Sequence, residues 1–151
     1  RANPRGWERV LAKYPRLRLN LAHFGGFGGR RSDDSLEGTW ENAVGWLIEK
    51  GHENVYADLS YFSQILSGPA DGPELRLMEK LTREFMDAYD RDLRRLMYGS
   101  DWVMLGLEEN HETYLGRVQY FLRQIIDFHN VAPIISANFL MRDGPAMSEI
   151  L

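Results

Sequence analysis

Cysteine is absent from all 151 residues, which excludes disulfides, thiolate metal centres and cysteine nucleophiles and leaves His, Asp and Glu as the only strong metal ligands. Histidine is itself scarce, with four copies, and no His-x-His pair occurs anywhere. No run approaches the roughly 18 apolar residues that a membrane span needs, so no membrane partner is expected. The chain opens Arg1-Ala2-Asn3-Pro4, without Met, without a charged-then-apolar leader and directly on a helix start; further residues are expected upstream. Lacking cysteine suits a reducing compartment, and a cytoplasmic location is expected.

Strong positive charge is also missing. A net charge of −4 argues against nucleic acid as a partner, because phosphate binding draws its affinity from clustered Lys and Arg. The one basic stretch, Arg1 to Arg18 with Arg30 and Arg31, reads mostly as a solvated helix face. What is present is enough apolar material for a core, 44% of residues, in a length suited to one domain spanning 1–151.

Strand and helix periodicities alternate along the chain. Asn3-Pro4 sets an N-cap with Pro at the first helical position, and Trp7, Val10, Leu11 and Tyr14 recur at helical spacing until Pro15. Leu17 to Ala22 alternates as a strand ending at His23, and the Gly-rich segment from Phe24 to Arg31 follows. Thr39 caps a helix, one face of which is marked by Trp40, Ala43, Val44, Leu47 and Ile48, and Gly51 ends it. Asn54 to Ser60 is a second strand. Pro73 opens a helix running to about Leu93, with Arg94-Arg95 near its negative end. Leu96 to Ser100 is a third strand. His111 to Phe128 is a helix with Tyr114, Leu115, Val118, Phe121, Leu122, Ile125 and Ile126 inward, and Ile134 to Leu140 is a short apolar segment of either type. Strands alternating with helices imply an α/β fold with a parallel sheet and right-handed crossovers. Three parallel strands cannot close a barrel, so a portion of a larger fold is expected.

Three strand-end blocks, Pro15-Arg16-Leu17-Arg18-Leu19-Asn20-Leu21-Ala22-His23-Phe24-Gly25-Gly26, Asn54-Val55-Tyr56-Ala57-Asp58-Leu59-Ser60 and Leu96-Met97-Tyr98-Gly99-Ser100-Asp101-Trp102, resemble the amidohydrolase-related family of metal-dependent hydrolases and decarboxylases. Ala137-Asn138-Phe139-Leu140 resembles that family's closing segment. The resemblance implies a (β/α)₈ TIM barrel, of which this chain would be about the last three βα units, its carboxyl-terminal half. It further implies one or two divalent ions, zinc foremost with manganese as the alternative, and a small-molecule substrate. Asp101 matches the family's aspartate after the last strand, a metal ligand and base. His23 matches the histidine that ligates a second metal or acts as proton donor. The family's His-x-His pair and its middle-strand ligands have no match here, so the missing half of the barrel or a homo-oligomer partner is expected.

The chemistry of those residue types stands apart from the family. A carboxylate beside a metal-bound water can take its proton, and an imidazole of unperturbed pKa about 6.5 can ligate or shuttle a proton near neutrality. A histidine at a strand end also serves as an ordinary hydrogen-bonded structural residue, and an aspartate there as a cap. Trp102 reads as a pocket wall or a packed rim residue, Arg30 as a clamp for a substrate carboxylate or a solvated cation. Asp58 reads as a structural cap or an arginine partner. Gly25, Gly26, Gly28 and Gly29 match no phosphate-binding pattern. His52, His111 and His129 share no ligand spacing.

The function expected is hydrolysis of a C–N or C–O bond, or non-oxidative decarboxylation. The alternative is a catalytically incomplete half-barrel that pairs with another chain through its exposed strand edges.

Overall fold

The computed structural model describes residues 3–24, 35–66, 69, 72–91 and 94–126. The Gly-rich segment with Arg30 and Arg31, Asp33, Asp34, His129 and the apolar run Ile134 to Leu140 lie outside these residues.

A 3₁₀ turn, Pro4–Trp7, opens the chain, with the Asn3 side chain accepting from the Arg5 backbone N–H as its cap. It leads into α1, Glu8–Lys13, of which only Leu11 is buried. Trp7 and Tyr14, which recur with Val10 and Leu11 at helical spacing in the sequence, are exposed. The reason is local: the 3₁₀ turn advances three residues per turn and carries Trp7 off the α-helical stripe, while Tyr14 lies past the helix end at φ −125° and ψ 72°.

Strand β1, Leu19–Leu21, β2, Val55–Asp58, and β3, Leu96–Met97, form a parallel sheet in the order β1-β2-β3. Leu19 pairs with Val55, Leu21 with Ala57, and Ala57 with Leu96. Alternation then places Leu21, Val55, Ala57 and Leu96 on the face that joins the hydrophobic core, and Asn20, Tyr56, Asp58 and Met97 on the other. The strands are shorter than the sequence pattern implied. Hydrogen bonding nevertheless continues beyond β2 and β3, with Leu59 N–H donating to Met97 O at 2.9 Å and Tyr61 N–H to Ser100 O at 3.3 Å.

Three helices cover the core face. α2, Trp40–Glu49, starts where the Thr39 hydroxyl accepts the Asn42 N–H at 3.0 Å, and it ends before Gly51, whose φ of +86° only glycine adopts cheaply. It buries Val44 and Leu47. Gly45 lies flush against α3, Pro73–Tyr89: a Cβ there would sit 2.2 Å from the Tyr89 ring. Asn42 fixes the same ring by donating to the Tyr89 hydroxyl at 3.0 Å. From α3, Leu75, Met78, Leu81 and Phe85 enter the core, and Phe85 meets Phe24 edge-on at 4.8 Å. Burying each such side chain contributes about 1.5–3 kcal/mol.

Helix α3 stops at Tyr89, short of the predicted Leu93. The Asp90 carboxylate accepts the backbone N–H groups of Arg94 and Arg95, both at 2.9 Å, and so offers the chain a turn in place of another helical turn. Arg94 and Arg95 therefore sit in the turn before β3 and not on the helix end. A four-residue helix α4, Trp102–Leu105, follows β3; it is too short to leave a periodicity. The 3₁₀ turn His111–Thr113 then leads into α5, Tyr114–Ile125, which buries Tyr114, Val118, Phe121, Leu122 and Ile125. Leu115, predicted inward, is exposed. Among the described residues, no helix is long and apolar enough to cross a membrane.

Candidate functional site at the strand ends

Among the described residues, the carboxyl end of each of the three strands leads to one residue in a left-handed backbone conformation. His23 follows β1 at φ 71°, Tyr61 follows β2 at φ 48°, and Asp101 follows β3 at φ 49°. Residues with a Cβ adopt this region at a cost of about 1–3 kcal/mol, and such strain collects where geometry is used. In a parallel α/β sheet this edge is where ligands meet the fold.

His23 is oriented by β2. Its ring Nδ1–H donates to the Ser60 carbonyl oxygen at 3.0 Å, with the Ser60 hydroxyl 3.3 Å from the same nitrogen. A carbonyl can only accept, so Nδ1 carries a proton and the neutral ring keeps its lone pair on Nε2. That is the tautomer a metal-ligating or proton-accepting histidine needs.

Asp58, buried at the end of β2, holds this corner together. Its carboxylate accepts from the Ser60 N–H at 2.9 Å, from Asn20 Nδ2 at 2.5 Å and from the His23 N–H at 3.4 Å. Its backbone carbonyl accepts from the Phe24 N–H at 2.7 Å. Of the two structural readings of Asp58, capping is the one the geometry bears out. Gly99 allows β3 to approach: a Cβ there would lie 2.9 Å from Ser60 Cβ and 3.2 Å from Asp58 Cγ.

Asp101 stands at the head of α4, half-buried, and its carboxylate makes no capping bond to that helix. Trp102, the next residue, is 77% exposed. Val103, Met104 and Leu107 are exposed beside it. Arg30 lies outside the described residues. His111 Nδ1 meets the Glu108 carbonyl oxygen at 3.1 Å.

Tyr61 was not singled out in the sequence, although it leaves its strand as His23 and Asp101 leave theirs. Its ring meets the His23 ring edge-on at 6.4 Å. Its hydroxyl donates to Glu108 Oε1 at 2.5 Å; this bond, then desolvation and the charges of Glu108 and Asp101, push the phenol above its usual pKa. Tyr114 beneath donates its hydroxyl to the Leu59 carbonyl and accepts the Phe62 N–H at 2.9 Å. Burial drives that phenol strongly upward.

Among the described residues, no group of three His, Asp or Glu side chains is arranged to hold a metal. His23 with its tautomer set and Asp101 with a carboxylate not spent on capping are nitrogen and oxygen donors of the kind a divalent ion takes. They fit as part of a ligand set.

The comparisons agree with this architecture. The amidohydrolase family model matches residues 2–127, and the chain belongs to that family. It has the fold of part of a TIM barrel, as the resemblance implied. Two similar solved structures are both of an amidohydrolase from Burkholderia multivorans, one with bound zinc and one with bound HEPES. Each is 20% identical, with TM-scores of 0.67 and 0.66 over 93% and 91% of this chain. The chain spans about half of their length, 48% in each case. No curated protein shows significant similarity.

Proposed function

We propose that this chain supplies the Asp101 and His23 part of the active site of a metal-dependent hydrolase acting on a small molecule. The observation that carries the reading is the corner itself: both residues leave parallel strands at the same sheet edge, and the Ser60 carbonyl presets His23 as an Nε2 donor. Asp101 and His23 would hold a divalent ion, zinc or manganese, together with ligands from beyond the described residues. When bound, such an ion brings the pKa of its water to about 7.

In this reading Asp101 takes a proton from the attacking water and His23 ligates or donates a proton to the leaving group. The bond cleaved is C–N or C–O, and non-oxidative decarboxylation is the neighbouring chemistry. The test is a panel of small esters, amides and aromatic carboxylic acids, assayed for hydrolysis and carbon dioxide release before and after chelation. Activity that falls on chelation, returns with zinc or manganese, and is lost in Asp101→Asn is the expected outcome. Full activity in Asp101→Asn would refute the assignment.

A second reading rests on the sheet. β1 and β3 each pair only with β2 among the described residues, leaving an edge on either side. A barrel half presented this way would associate through those edges with the rest of a barrel or with a second copy. A strictly monomeric species in sedimentation at high concentration would count against association between copies.

A further inference from the structure

We propose that Tyr61 and Glu108 form a clasp that fixes Asp101 relative to His23, making Tyr61 a positioning residue for both. This rests on the reading of His23 and Asp101 given above. Tyr61 holds the segment carrying Asp101 at its two ends. Its backbone N–H bonds the Ser100 carbonyl, immediately before Asp101, and its hydroxyl bonds Glu108, immediately after the segment 101–107.

The segment between these anchors has little else to hold it. Trp102, Val103, Met104 and Leu107 are exposed, and only Leu105 is buried. Internal hydrogen bonds run from Leu105 N–H to Asp101 O and from Glu108 N–H to Leu105 O, both 2.9 Å, so the segment is a small stiff unit whose placement depends on its attachments. Displacing Glu108 would therefore turn the unit and carry Asp101 with it.

Core packing does not account for a tyrosine here. Tyr61 is half-buried, is not among the buried core residues, and occupies a left-handed conformation that a bulky residue rarely adopts. The conformation lets one residue reach three places: the Ser100 carbonyl, the Glu108 carboxylate and the edge of the His23 ring. Groups that orient a ligand from behind it commonly matter as much as the ligand.

The test compares Tyr61→Phe, Glu108→Ala and Glu108→Gln in the protein with the rest of the barrel present, by amide hydrogen exchange and by zinc affinity against a chromogenic chelator. Tyr61→Phe and Glu108→Ala should each raise exchange severalfold in 102–107, leave α3 unchanged, and weaken zinc binding roughly ten- to hundredfold. Glu108→Gln, which keeps an acceptor for the phenol, should restore both. The double variant Tyr61→Phe/Glu108→Ala should be no worse than either single change. Unchanged exchange in Tyr61→Phe overturns the clasp, as does a lower melting temperature with zinc affinity intact. Loss of zinc in Asp101→Asn but not in Tyr61→Phe overturns the clasp alone. Zinc affinity unchanged in Asp101→Asn overturns the metal reading while the exchange data still judge the clasp.

Discussion

Gly99→Ala should destabilise the chain even though alanine usually stabilises a glycine site whose backbone permits it. The new Cβ would meet Ser60 Cβ at 2.9 Å and both Asp58 Cγ and Asp58 Oδ1 at 3.2 Å. Ser60 Cβ cannot rotate away, because it is fixed to the backbone of β2's continuation, and Asp58 is held by three hydrogen bonds. Either β3 moves out or the Asp58 corner is pushed aside. Overpacking of this kind costs about 1–3 kcal/mol, and restricting the unfolded chain returns about 0.4–1 kcal/mol. The net expectation is a loss of about 1.3 kcal/mol at the midpoints of these ranges, and of no more than about 2.6, or a few degrees in Tm for a chain of this size. Gly116→Ala is the matched control. Nothing lies within 4 Å of its added Cβ, and within α5 alanine should gain up to about 1 kcal/mol. Urea unfolding with an unchanged m-value measures both. Greater stability in Gly99→Ala would refute the close packing of β3 on the Asp58 corner.

Other substitutions test neighbouring parts. Thr39→Ala removes the acceptor for the Asn42 N–H and a buried donor to the Leu36 carbonyl, and should cost about 1 kcal/mol in the same assay. Gly45→Ala drives a Cβ into the Tyr89 ring at 2.2 Å and should destabilise more than Gly99→Ala. Alkaline pH tests Tyr114: its folded pKa is raised by burial, so above about pH 10 the unfolded chain loses the proton first and stability falls as pH rises. In Tyr114→Phe that part of the alkaline loss should disappear, although the bonds to Phe62 and Leu59 are lost at every pH.

Much of this was legible because local rules and tertiary structure agree. Asn3, Thr39, Gly51 and Pro73 mark helix ends through capping and backbone chemistry that act within a few residues. Leu19, Leu21, Val55 and Ala57 show which side of the sheet meets the helices. Strand ends at His23 and Asp101 could be found because parallel strands bring their last residues to one edge. Asp90 was harder: its carboxylate terminates α3 through bonds to residues four and five positions on, which compete with a helical pattern that is otherwise continuous. The Tyr61–Glu108 bond spans 47 positions and leaves no sequence period. Its one local trace is that Tyr61 lies just past the end of the middle strand.

The most direct test of the central claim is calorimetric titration of zinc into the purified protein with the rest of the barrel present, repeated for His23→Asn and Asp101→Asn. The account expects zinc binding by the unaltered protein and at least a tenfold loss of affinity in each variant, with unfolding midpoints little changed. Equal zinc affinity in all three proteins would contradict it.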